Sequence, residues 1–249
     1  MSFFSDMDGR KAYKLHLAGN RLLDLKKNAE ADEKFKEALS LYEKATEAGC
    51  AQARILMAYG VLLLRKGQFE KAREVMLKTE KAPGITAAEK RQLRLNFAIC
   101  QWKLGKLDSA IEQMRRVAQD GMNSTIYGSL GYMLIEKAIE TGDFDEAVAF
   151  NNEAYDYDDE DAVTLDNLGQ LNLAMGEREK AYAYFLRAIE RKPTQADTLF
   201  YLAKLKHEDG DDEAARGYLN TALEKSSYSA LCTTTREQAE ALLHSLKAQ

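Results

Sequence analysis

Apolar residues recur along this chain at helical spacing, in blocks separated by short polar turns. From residue 165 the pattern reads Leu165, Leu168, Gly169 and Asn172, then Gly176, then Ala181, Phe185, Ala188 and a closing Pro193. Steps of three and four place one stripe of side chains on the buried face of a helix, so this block predicts two amphipathic helices joined by a turn at Gly176. The turn phrase returns five times: GQFEKA at 67, GKLDSA at 105, GDFDEA at 142, GEREKA at 176 and GDDEAA at 210. Glycine is always first and alanine always sixth, at intervals of 38, 37, 34 and 34 residues. The glycine supplies the positive φ that a helix end often requires. The charged residues behind it open the next helix, and the alanine is small enough to let the two helices of a block approach closely.

The register extends in both directions. A second copy offers Leu56, Tyr59, Gly60, Leu63, Gly67, Ala72 and Met76, and a sixth offers Leu199, Leu202, Ala203, Gly210, Ala215, Leu219 and Ala222. A first copy, Leu15, Ala18, Gly19, Leu22, Ala31, Phe35 and Ala38, has Lys26 in place of the turn glycine. The third copy (Phe97, Ala98, Gly105, Ala110, Met114) is looser, with an insertion around KAPGITAAEKR. In the fourth, Leu130, Gly131 and Leu134 stand four residues earlier than Gly142 predicts, which one extra helical turn explains. The expected organisation is one undivided solenoid over 1–249: a tail at 1–9, six helix pairs over 10–227, and a capping helix over 233–249 with Ala239, Leu242 and Leu246 inward.

The run from Leu165 to Pro193 resembles the tetratricopeptide repeat, with Asn172 where that family usually has tyrosine. The resemblance implies an all-α, right-handed solenoid of helix pairs whose first helices line a concave channel for an extended or helical piece of another protein. Carried over by register, the groove positions are Asn20 from copy one, with His16 beside it. Copy two gives Arg54, Met57, Val61 and Arg65, with Ala58; copy three gives Asn96, Ile99 and Trp102, with Gln92. Copies four to six give Tyr132, Asn167, Gln170, Tyr201 and Lys204, with Ile135, Asp166 and His207. Some members of the family hold a terminal carboxylate in a clamp of lysines, asparagines and an arginine. Here His16, Ala58, Gln92 and Asn96 depart from that set, so carboxylate-clamp recognition is not expected. For Met57, Val61, Ile99, Trp102, Tyr132 and Ile135 the spacing fits the groove and the core alike. Asn96 and Asn167 fit either a ligand's backbone or a neighbouring helix end.

Composition narrows the function. With 45% hydrophobic and 30% charged residues, only two prolines and no long apolar run, the chain is expected to be a soluble, cytoplasmic helical protein with no membrane partner. Cys50, Cys100 and Cys232 are widely spaced and His16, His207 and His244 fall in distant copies, so no disulfide framework, metal site or cofactor is expected. No catalytic or phosphate-binding motif is present, and no enzymatic activity is expected. The acidic run YDYDDED at 155–161 reads as a solvated turn, and the basic patch of Lys90, Arg91, Arg94, Lys103, Lys106, Arg115 and Arg116 lacks the aromatic platforms of nucleic-acid binders.

Charge adds an alternative. Residues 1–120 hold 23 Lys and Arg against 16 Asp and Glu, and residues 121–249 hold 12 against 24, so the two stretches carry +7 and −12. The leading expectation is a non-enzymatic adaptor that binds a protein or peptide segment in the groove between copies two and five. The alternative is a weak homo-oligomer that joins unlike halves.

Overall fold

The computed structural model describes residues 3–226 and 230–246. Among these it places thirteen α-helices and no strand. They are α1 (Phe3–Asp24), α2 (Asn28–Glu47), α3 (Ala53–Arg65), α4 (Phe69–Glu80), α5 (Ala87–Lys103), α6 (Leu107–Gln119), α7 (Ser124–Thr141), α8 (Asp145–Tyr157), α9 (Ala162–Ala174), α10 (Arg178–Arg191), α11 (Ala196–Glu208), α12 (Asp212–Lys225) and α13 (Arg236–Ser245). The chain gathers into two compact units, Met1–Gln113 and Met114–Gln249, with the division falling inside α6, where the sequence alone suggests one undivided solenoid. No described helix is long and apolar enough to cross a membrane.

The five repeated phrases act as their chemistry dictates. Gly67, Gly105, Gly142, Gly176 and Gly210 all have φ between 70° and 81°, the left-handed conformation that ends one helix and turns the chain into the next. The alanines that close the phrases, Ala72, Ala110, Ala147, Ala181 and Ala215, are all at most 1% exposed. Lys26, in the glycine's place in copy one, takes the same conformation with φ 59°, and among the described residues it alone does so without being glycine.

A second glycine sets the contact within pairs. A Cβ on Gly19 would stand 2.5 Å from the Phe35 ring, and one on Gly169 would stand 2.5 Å from the Phe185 ring. Both are sixteen positions apart, so the same contact is built twice, once in each unit. In the fourth pair Gly131 faces Asn151, twenty positions on, at 2.5 Å. The four-residue offset is the extra turn the sequence suggested: α7 has 18 residues where α3, α9 and α11 have 13.

Two boundaries move. Residues 1–9, expected as a tail, are helical from Phe3, because Gly9 lets α1 close against Ile55 of α3 and Asp8 pairs with Lys44 of α2 at 3.2 Å. The capping helix is shorter than 233–249. Thr235 is its N-cap, accepting from Gln238, and α13 spans Arg236–Ser245. It packs Ala239 and Leu246 against Ala203, Ala215 and Leu219 of α11 and α12. Residues 1–2, 227 and 247–249 of the expected tail, pairs and cap lie outside the described residues.

Candidate functional site

In the first unit, α1, α3 and α5 bring together a groove with a volume of about 510 Å³. Asn20, Arg54, Met57, Val61, Arg65 and Asn96, all chosen by register from the sequence, line it with His16, Ala58 and Gln92. Tyr13, Leu17 and Glu89 complete the wall. These three escape a repeat-register reading: Tyr13 and Leu17 are neighbours of His16 on α1, and Glu89 belongs to the extra turn of α5. That turn exists because Thr86 and Glu89 form a reciprocal capping box inside the insertion.

The polar side chains of this groove are held by neutral partners. The Arg65 guanidinium donates to Asn20 Oδ1 at 2.7 Å and lies 5.1 Å over the Phe35 ring. Arg54 donates to the Tyr13 hydroxyl at 3.1 Å and lies over its ring. Gln92 donates to Asn96 Oδ1 at 3.3 Å. His16 is buried between the Phe35 and Tyr42 rings, with Nδ1 3.4 Å from the Tyr42 hydroxyl. Burial, reinforced by the charge of Arg65, pushes its pKa down to about 4 and keeps the ring neutral at physiological pH. Apolar Met57, Ala58 and Val61 are half-buried between these groups. The groove therefore combines an apolar floor with amide and guanidinium groups, the chemistry that holds a peptide main chain and one or two apolar side chains.

Other residues picked from the sequence do not line a groove. Ile99 and Trp102 of α5 are 4% and 7% exposed, and Ile135 of α7 is 1% exposed, so the apolar stripe of these helices is core at those positions. The Trp102 ring is covered by the Lys103 ammonium at 3.8 Å. Asn167 is 2% exposed and donates to the Gly128 carbonyl of α7 at 2.8 Å. It ties α9 to α7 and is buried away from any groove. Lys204 is exposed on α11.

In the second unit, Tyr132, Gln170 and Tyr201 converge on the chain's own Thr233. Gln170 Nε2 donates to the Thr233 hydroxyl at 3.2 Å, and the Tyr132 and Tyr201 side chains lie close by. Burial holds both phenols far above the usual tyrosine range. Beneath them Asp166 accepts from Thr198 Oγ1 at 2.5 Å and from Gln170 Nε2 at 2.6 Å. Its burial, with the nearby charge of Asp197, pushes its pKa up to about 7. Asp197 Oδ1 accepts the backbone N–H groups of Thr233 and Thr234 at 3.0 and 2.7 Å, and the Thr234 hydroxyl at 2.6 Å. Three threonines, Thr233 to Thr235, stand in a row here. Thr235 is the cap; its two neighbours point elsewhere. No group of three or more His, Cys, Asp and Glu among the described residues is arranged to hold a metal ion.

The tetratricopeptide repeat profile matches residues 23–84 and 167–230, just over half of the 249 residues. The chain belongs to the tetratricopeptide repeat family. Folds of this family are scaffolds for protein–protein interaction, and that is the class of role this tetratricopeptide repeat protein carries. No curated protein sequence matches it.

Among solved structures it resembles TTC0263, a thermophilic tetratricopeptide repeat protein of Thermus thermophilus. The two are 19% identical over 78% of this chain and 100% of that one, with a TM-score of 0.63. It also resembles the type IV pilus biogenesis factor PilW, at 14% identity over 98% of this chain and 100% of that one, TM-score 0.60. The C-terminal part of a tetratricopeptide repeat protein from Cytophaga hutchinsonii is 18% identical over 87% of this chain and 78% of that one, TM-score 0.54. These likenesses establish a shared fold.

Proposed function

We propose that the protein is a cytoplasmic, non-enzymatic adaptor that binds an extended peptide segment of a protein partner in the groove of its first unit. The observation that carries this reading is the 510 Å³ groove, where register-equivalent residues of three successive first helices meet with their amide and guanidinium groups beside an apolar floor. Multiple contacts along preformed walls give affinity without a deep pocket. Arg54 and Arg65 are both stacked on rings, so their positions are set before a ligand arrives.

The test is selection of a displayed library of random short peptides on the wild type, followed by titration of the selected peptides into Met57→Glu and Arg54→Glu variants. Folding of each variant is checked by its helical circular dichroism. The expected result is a loss of affinity of about tenfold or more in each, because a carboxylate would replace an apolar contact or a donor at the centre of the groove. Peptides that bind both variants as tightly as the wild type would refute the assignment of the groove. Sedimentation at low and high salt checks the self-association reading, whose complexes would dissociate as salt screens their charges.

A further inference from the structure

Equivalent positions in the two units have different fates. Asn20, Val61, Tyr132 and Gln170 each directly follow the close-packing glycine of their helix, Gly19, Gly60, Gly131 and Gly169. In the first unit Asn20 and Val61 border open space. In the second, Gln170 is engaged by Thr233 of the segment that leads into α13, and Tyr132 is half-buried. The contacts of that segment are those of a bound peptide: two consecutive backbone N–H groups and a hydroxyl on the Asp197 carboxylate, and a second hydroxyl on Gln170. Both carboxylates of the floor, Asp166 and Asp197, are held by neutral donors, and Asp166 orients the Gln170 amide that meets Thr233.

We propose that the face carried by α7, α9 and α11 is a second peptide site, filled in this structure by the chain's own Cys232–Thr235 segment. The partner it fits is an uncharged, extended segment with adjacent hydroxyl residues, Thr-Thr or Ser-Thr. Such a segment repeats the two N–H and two hydroxyl contacts and displaces the resident one. Specificity follows from the acceptors: a segment without hydroxyls leaves Gln170 and Asp197 under-satisfied, and a phosphorylated one meets the Asp197 carboxylate. Because the resident segment is tethered, its effective concentration is high, and a free peptide exchanges with it only when present in excess. The site is independent of the first unit's groove.

Cys232 reports the exchange, since it lies half-exposed at the start of the segment while Cys50 and Cys100 are buried. Iodoacetamide labelling of each cysteine is followed in the full chain by mass spectrometry. The Thr233→Val, Thr234→Val double variant keeps the shape of the segment and removes both hydroxyls. It is expected to label at Cys232 about tenfold faster than the wild type, with Cys50 and Cys100 unchanged. A synthetic peptide spanning residues 230–235 with Cys232→Ser and blocked ends, at millimolar concentration, is expected to accelerate Cys232 labelling of the wild type. The same peptide with valine at all three threonine positions is expected not to. Equal rates in the wild type and the double variant overturn the proposal. So does acceleration by both peptides or by neither, since the segment would then be a fixed part of the fold.

Discussion

Lys26 is the residue at which the repeat breaks its own rule. A side chain in the left-handed conformation costs about 1 kcal/mol or more relative to glycine, part of which glycine returns through the entropy of the unfolded chain. Lys26→Gly should therefore stabilise the protein by about 0.5 kcal/mol in urea unfolding, since the side chain it removes is exposed. Glycines on helix faces separate in the opposite way. Gly217, in α12, has no atom within 4 Å of an added Cβ, whereas Gly169 has the Phe185 ring at 2.5 Å. Gly217→Ala should gain about 0.5–1 kcal/mol from helix propensity. Gly169→Ala should lose about 1 kcal/mol or more, because overpacking outweighs the same gain. Thermal unfolding of the two variants checks the pair, which are indistinguishable by residue type alone. The register did mark Gly169 as part of a repeated pattern; that its neighbour is an aromatic ring is a fact of packing.

At the scale of elements, the long first helices show how insertions are absorbed. The extra turn of α7 keeps Gly131 opposite the residue four positions beyond the alanine of the turn phrase, the place that Phe185 holds beyond Ala181. In this pair that residue is Asn151, which donates to the Gly131 carbonyl at 3.2 Å and to that of Ala147 at 2.8 Å. Asn167 then bridges α9 to α7 through the Gly128 carbonyl. Two asparagines thus hold the helices where the first and fifth pairs use a phenylalanine ring against glycine. Asn167→Ala should destabilise the second unit by about 1–2 kcal/mol, the cost of a lost buried hydrogen bond, as read from its urea midpoint. An asparagine in sequence is equally suited to a ligand's backbone and to a helix carbonyl. Only the distance to α7 selects between them.

At the scale of the whole molecule, one buried group in each unit couples folding to pH, and the two act in opposite senses. In the first, the His16 pKa lies at about 4 against an ordinary 6.5, so between these values the unfolded chain takes up a proton that the folded unit does not. Acid therefore weakens this unit, and its contribution is complete above pH 6.5. In the second, Asp166 lies at about 7 against an ordinary 3.8, so the folded unit holds a proton that the unfolded chain has lost. That contribution is present below pH 3.8 and is lost as pH rises through about 7. Opening free energies from amide hydrogen exchange at about pH 5 and about pH 7.5 should shift in opposite directions in the two units. His16→Leu and Asp166→Asn should each flatten the shift of their own unit. A single common shift in both would show that other groups govern the pH dependence.

The sequence by itself determined the helix pairs, their turns and the small alanines between them, because each depends on local conformation and on a period that a chain of repeats states many times, and the family resemblance added six residues that line the groove of the first unit. The fate of the remaining residues was decided by tertiary structure. Ile99, Trp102 and Asn167 share their spacing with groove positions, and a helix face has no label that separates a neighbour in the core from a ligand. Thr233 and Thr234 lie more than sixty positions from Gln170 and more than thirty from Asp197. No repeat period carries such a pairing, which exists only once the chain has turned back on its own helices.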